Sequence, residues 1–548
     1  MDLHRLSIAD LSKKIKARSI SPVEVVEAFL ARIDALDPLI NSFITVTAEA
    51  ARCQARAAEQ EIAQGKWRGP LHGIPFALKD IYDTKGILTS AHSRAFIDRV
   101  PVENATVVDK LYAAGAILVG KLATFEFAVG GPTAGLPWPL ARNPWNTACS
   151  PGGSSSGSAA AVAAGFVPGA LGTDTGGSIR GPASWCGVSG LVPTYGLVSR
   201  AGVLPISFTF DHCGPIASTA EDCAILLGAM AGYDPKDSAS VELSPRDYRS
   251  ALTARLDGVK IGVLRHYWEE DKETSDEVRA AMENALSVFR SLGAKVTDAR
   301  IRPLNHLPHV KWIIAQTELF SIHRRALQER PGDFGQDFLL RVLPACLVSG
   351  AEYFQAIREF GGAVAEMASM AKEYDVFVTV ALGAAPRFDE HNHLDFLRKP
   401  GRFMQANVPA GPAGVFCNGF SSGGLPFGME VIGRPFQDDT VLRVGHAYQQ
   451  ATDWHMRTPD LAKAAWSPII DPAPFAMNSQ NVDGALRALC DAAAARANLR
   501  LNESQRALLY AGAPFVLDMV AQLRGDTGFD RGPATTFRLP MGASDSSD

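Results

Sequence analysis

No run of apolar residues in this chain is long enough to cross a bilayer, and no lysine and arginine cluster rivals the basic stripe of a nucleic-acid binder. The longest apolar stretch, from Ala159 to Leu171, falls short of the ~20 residues a spanning helix needs and is broken by Gly165, Pro168 and Gly169. The opening residues, MDLHRLSIADLSKK, lack an apolar h-region. The eight cysteines are scattered, with no C-x-x-C pair and no histidine at zinc-ligand spacing. They read as free thiols in a reducing compartment, and no metal site and no cofactor is expected. The formal charge is only −5, from 53 basic and 58 acidic side chains, so neither nucleic acid nor a membrane surface is an expected partner. None of the twelve histidines sits beside a recognisable partner motif, which removes the usual histidine-based triad. The expectation is a soluble, cytoplasmic protein whose partner is a small molecule.

What is present is enough to build a large core: 548 residues, 47% of them apolar and 20% charged. Ser7-x-x-Asp10 and Ser21-Pro22-x-Glu24 predict two helix starts, the second with proline at the first helical position. Ile74 to Leu78, Ala116 to Val119, Lys260 to Leu264 and Val376 to Val380 are short apolar runs of the kind buried strands show, and a helical pattern covers Ser275 to Leu292. Strands alternating with helices predict an α/β fold. A proline-rich passage, residues 467–480, then separates a body (1–466) from a tail (481–548). The tail carries two helical patterns, Ala485 to Ala497 and Glu503 to Leu523, an extended stretch from Gly532 to Leu539 and a frayed polar end. No internal repeat is visible.

Two glycine-serine loops, Gly152 to Ser158 and Gly172 to Arg180, flank an alanine-rich segment. Serine acts as a nucleophile only when something takes its proton, and a developing oxyanion needs N–H donors that side chains do not obstruct. A single such loop is an ordinary surface connection. Two loops around a small-residue helix imply close packing, hence buried hydroxyls that need partners. Neither loop ends as a P-loop does. Gly153-Ser154-Ser155-Ser156-Gly157 satisfies the G-x-S-x-G elbow of α/β-hydrolases, but that elbow follows a hydrophobic strand, and here residues 143–151 hold two prolines.

Both loops, in order and spacing, resemble the signature of the amidase signature family of serine hydrolases. The likeness continues through Gly181-Pro182 to Cys186 and Pro193, upstream at Gly73-Ile-Pro-Phe-Ala-Leu-Lys79-Asp80, and downstream at Gly423-Gly-Leu-Pro426 through Gly433-Arg-Pro435, covering roughly residues 5–460. It implies the family fold: a large mixed, twisted sheet with helices on both faces, here with a small C-terminal helical extension. It also implies a Ser-Ser-Lys triad, with Ser178 as the nucleophile that forms an acyl-enzyme, Ser154 as the bridging serine after a cis peptide bond, and Lys79 as the base. The separations of 75 and 24 residues along Lys79, Ser154 and Ser178 are typical of that family.

A lysine near its free pKa of about 10.4 is useless as a base at neutral pH, so burial must lower it by about three units. The resemblance further implies an oxyanion hole from the backbone amides of Thr175, Gly176, Gly177 and Ser178, and supporting roles for Ser155, Asp174 and Arg180. Ala128 and Gly130, in the aromatic-rich stretch that begins at Phe125, fall where the family lines the acyl side of its pocket.

Two outcomes within the family remain open. One is a free-standing hydrolase of a small or aryl amide, carbamate or urea-type bond, which the sequence reading places first with a homodimer left open. The other is the glutaminase subunit of a tRNA-dependent amidotransferase, for which Arg341 offers a positive group to a substrate carboxylate. The tail tips the choice: its helices and the ending Pro533 to Arg538 resemble a small companion subunit of some family members, fused here, so a separate companion is less needed. An α/β-hydrolase esterase ranks third and a non-enzymatic scaffold last.

Overall fold

A computed structural model of the chain describes residues 2–523 except 245, 273, 305–306, 399–402, 404–410, 465–469 and 476–481. Among the described residues, eleven strands form one mixed sheet: β1 (Phe43–Val46), β2 (Pro75–Lys79), β3 (Ile117–Leu122), β4 (Gly169–Asp174), β5 (Ser189–Val192), β6 (His212–Ala217), β7 (Lys260–Val263), β8 (Lys295–Asp298), β9 (Val376–Leu382), β10 (Ala413–Phe420) and β11 (Pro426–Gly433). Their order is β1-β3-β2-β4-β6-β5-β10-β11-β9-β7-β8. β2 runs parallel to both β3 and β4, β7 is parallel to β8 and β9, and the other pairings are antiparallel.

The edge strand β8 is exposed at three of its four residues and the other edge strand, β1, has no fully buried residue, whereas β2 to β6 are buried along their whole length. Burial on both faces explains why these strands read as continuous apolar runs instead of alternating ones. The two faces feed separate cores: on β2, Phe76 and Leu78 join one cluster while Ala77 joins the other. Each cluster is closed by helices, which confirms the α/β expectation.

The predicted elements stand within one or two residues of their expected bounds, except that β3 runs three residues past Val119 to Leu122. Ser7 and Ser21 cap their helices as expected, Ser21 in a full capping box with Glu24. The main departure is β4, because Gly172-Thr173-Asp174 reads as the opening of a loop yet forms the second half of a central strand. Small residues suit that strand because neighbours crowd it: a Cβ at Gly172 would lie 2.7 Å from Ser155 Oγ. The small-residue helix Ser156–Ala163 is buried, and a Cβ at Gly157 would lie 2.4 Å from the Ser42 carbonyl oxygen.

Two tail helices, Gly484–Arg496 and Glu503–Gln522, pack against the body over residues 336–347. Arg496 Nη2 donates to the Cys346 carbonyl at 3.0 Å, and Gln328 Nε2 donates to the Ala497 carbonyl at 2.7 Å. The extended ending Gly532 to Leu539 and the polar terminus lie outside the described residues. Among the described residues no helix is long and apolar enough to cross a membrane.

Candidate active site

Lys79 ends β2 with its side chain fully buried, and its Nζ donates to Ser154 Oγ at 2.7 Å and to Thr173 Oγ1 at 2.9 Å. Burial lowers its pKa to about 7 against the opposing pull of Asp174, Asp211 and Cys213. The Gly153–Ser154 peptide bond is cis. Ser155 is locked to β4, its Oγ donating to the Thr173 carbonyl at 3.2 Å and accepting from the Thr173 N–H at 3.3 Å. No strand precedes it, so the elbow reading of this serine has no support in the fold.

The second loop meets the first directly, since Ser155 N–H donates to the Ser178 carbonyl at 3.2 Å. Ser178 is partly exposed and Gly176 is exposed, while Ser154 is buried. The loop is organised by Asp174, which accepts from the N–H groups of Gly177 (2.7 Å), Ile179 (3.0 Å) and Arg180 (3.3 Å) and from the Arg180 guanidinium. Burial opposes its charge, but Arg180 and the loop N–H donors outweigh that and hold the carboxyl well below its usual range. Arg180 also donates to Glu430 on β11 at 2.7 Å, so a buried cation bridges two buried carboxylates. The expected oxyanion donors need one correction: the Gly177 N–H is spent on Asp174, which leaves Thr175, Gly176 and Ser178 to offer amides.

Between the loops and a second polar cluster runs the segment that begins at Phe125, whose N–H donates to the Ser154 carbonyl at 3.2 Å. Its backbone is left-handed at Phe127, Ala128 and Gly130. That conformation brings Gly130 against Asp337 and Arg341; a Cβ on Gly130 would lie 2.1 Å from Asp337 Oδ2 and 3.4 Å from Arg341 Nε. Arg341 is buried, its Nε donates to Asp337 at 2.9 Å, and its Nη1 has no hydrogen-bond partner among the described residues. Asp337 also accepts from the Gly131 N–H at 2.6 Å and pairs with His393 Nδ1 at 2.9 Å. His391, His393 and Asp337 converge closely enough for metal ligation, but the ring nitrogens of His393 already face Asp337 and the Ala473 carbonyl, and Arg341 shares the carboxylate. The geometry is that of a buried Asp337–Arg341 ion pair with His393 on the second carboxylate oxygen.

The family model described as Amidase matches residues 24–442. The chain belongs to the amidase family. This amidase is 39% identical over 487 residues to a glutamyl-tRNA(Gln) amidotransferase subunit of Chloroflexus aurantiacus, a match that covers 84% of this chain and 99% of the relative. The same-named subunit from Thermotoga maritima superposes with a TM-score of 0.70 at 32% identity, covering 84% of this chain and 98% of that one. The native peptide amidase of Stenotrophomonas maltophilia gives 0.71 at 29% identity, over 81% and 96%.

These matches correct two expectations. The free-standing small-amide hydrolase, placed first on the sequence, is overturned by full-length relatives whose name specifies an amidotransferase. The exclusion of nucleic acid falls with it, because that name also specifies a tRNA. Net charge and the absence of a basic stripe describe this chain's own surface alone, and a two-helix tail is too generic to stand for a separate companion.

Within the amidase site, sequence reasoning missed Thr173, Glu430, Asp337 and Lys311. Thr173 and Glu430 lie inside quoted motifs but have no chemistry that singles them out. Asp337 sits one helical turn before Arg341, a visible i,i+4 pair. Lys311 carries no sequence signal, because nothing in its helix Pro308–Glu329 announces that it reaches the Gly176 loop.

Proposed function

We propose that this chain is the glutaminase subunit of a tRNA-dependent amidotransferase, working in the cytoplasm with a catalytic body over 1–466, a connection over 467–480 and a helical tail over 481–548. The observation that carries the reading is Arg341, a buried guanidinium beside Gly130 whose Nη1 has no hydrogen-bond partner among the described residues, one short segment away from Ser154. A glutaminase needs such a group for the α-carboxylate of glutamine, and its burial strengthens a charge-assisted bond. The full-length relatives of the same name favour this reading over other amides.

In this scheme the neutral Lys79 amine takes the Ser154 proton while Ser154 takes that of Ser178, and Ser178 Oγ attacks the side-chain amide carbon of glutamine. The carbonyl oxygen gains the charge and faces the amides of Thr175, Gly176 and Ser178. Collapse breaks the C–N bond, the relayed proton leaves with ammonia, and a γ-glutamyl ester remains on Ser178. Water, deprotonated through the same relay, releases glutamate. Asp174 and Arg180 act by holding the loop in shape, and Ser155 by fixing the first loop to β4.

The test is steady-state glutamine hydrolysis by the full chain, alone and with its partner subunits and glutamyl-tRNA, together with mass-spectrometric trapping of the ester. The expected outcome is ammonia release with a γ-glutamyl adduct on Ser178, and a KM for glutamine raised at least tenfold by Arg341→Gln. No glutamine turnover under any of these conditions, alongside turnover of an amide that lacks a carboxylate, would sink the assignment.

A further inference from the structure

The helix Pro308–Glu329 brings a second lysine to the reacting end of the molecule. Lys311 is largely buried, yet its Nζ reaches the exposed turn of the second loop: a Cβ placed on Gly176 would lie 2.7 Å from Nζ and 3.4 Å from Cε. Glycine at 176 is therefore what admits the ammonium to that side of the loop. The ring of Phe210 lies 5.5 Å from Nζ and favours the cation. Burying an ammonium is unfavourable unless its surroundings repay it, and a position at the mouth of the amide-bearing loop is where added positive charge acts on a reacting carbonyl.

We propose that Lys311 is a further catalytic residue, its ammonium bearing on the oxyanion that forms over the amides of Thr175, Gly176 and Ser178. The inference rests on the assignment of Ser178 as nucleophile, but not on the identity of the amide. Lys311 keeps its proton throughout; the charge it stabilises arises when Ser178 Oγ adds to the carbonyl and is discharged when the C–N bond breaks.

Among the described residues, the ionisable groups that act on Lys311 include Arg180 at the start of its helix, Asp174 at the end of β4, Asp211 just before β6 and Glu430 on β11. Burial and Arg180 bring Lys311 down to about 7, against the pull of Asp174, Asp211 and Glu430. Lys79, brought to about 7 by burial, must be neutral to act, whereas Lys311 must be charged. The two requirements cross near neutrality and give a bell-shaped rate profile.

The experiment measures the rate at which a fluorophosphonate probe labels Ser178 in the full-length protein between pH 5.5 and 9, read by intact mass, with Ser178→Ala as the control. Phosphonylation loads negative charge onto an oxygen over the same amides and requires no particular amide substrate. The wild type is expected to label fastest near pH 7. Lys311→Met, which keeps the length and apolar bulk of the stem, is expected to label 10- to 1,000-fold more slowly, with a rate that only rises toward alkaline pH. A variant within twofold of wild type at every pH overturns the role of Lys311, as does a wild-type rate with no alkaline fall, a readout independent of whether the variant folds. Absence of wild-type labelling overturns the Ser178 assignment and this inference together.

Discussion

Lys79 Nζ and Ser154 Oγ lie 2.7 Å apart with both side chains buried, although 75 residues separate them in the chain. Lys79→Met should therefore abolish relay without unfolding the protein. Turnover is expected to fall by about 10²- to 10⁴-fold, as for loss of a general base. Circular dichroism and a thermal melt should show a folded variant. A variant with near-normal kcat would exclude Lys79 as the base.

The same lysine gives stability a pH dependence. Its folded pKa, about 7, is below its unfolded value of about 10.4, so between these the unfolded chain binds more protons. The contribution of Lys79 to unfolding free energy should rise as pH increases from 7 to 10 and be lost as pH falls. Urea titrations of wild type and Lys79→Met across that window are expected to differ by a positive slope, the share of the pH dependence that Lys79 contributes.

Arg180 is shared between Asp174 and Glu430, all three buried. Asp174→Asn leaves the cation only partly compensated and removes charge from the acceptor of the loop N–H donors, for an expected cost of about 3–5 kcal/mol in chemical denaturation. Loss of activity should accompany it, because Gly177 and Ile179 lose their charged anchor. Equal stability of wild type and variant would show that the buried triad does not hold the loop.

Gly130 occupies left-handed backbone at φ 95°, with Asp337 Oδ2 only 2.1 Å from where its Cβ would stand. Gly130→Ala must push Asp337 and, through their ion pair, Arg341. The expected kinetic signature is a KM for glutamine raised by about tenfold or more, with a smaller change in kcat. A change confined to kcat would place the cluster elsewhere than on the substrate carboxylate.

The tail helix Glu503–Gln522 sets Gly512 against the element that carries Arg341: a Cβ there would lie 2.5 Å from Pro344 Cγ and 2.9 Å from the Leu340 carbonyl oxygen. Gly512→Val is expected to lower the melting temperature by several degrees, as overpacking does at about 1–3 kcal/mol, and to raise KM for glutamine through the displaced Arg341. An unchanged KM with a lowered melting temperature would leave the tail a purely structural role.

The sequence by itself determined the α/β class, the helix starts at Ser7 and Ser21, the strand that ends at Lys79 and the serine loops, because hydrophobic period, capping chemistry and glycine spacing act over a few residues. Family membership was also legible, since it rests on motifs. The amide class was misjudged: pocket chemistry is assembled from residues far apart in the chain, and the tail was weighed as if it identified a companion. Tertiary structure alone decided the rest. The lowered pKa of Lys79 needs every neighbour that excludes water, Arg180 finds Glu430 only through the packing of the 180–186 helix on β11, and Arg341 reaches Gly130 across 211 residues. Lys311 meets Gly176 in the same way, because desolvation and charge pairing depend on distance in space, which the linear order of residues does not record.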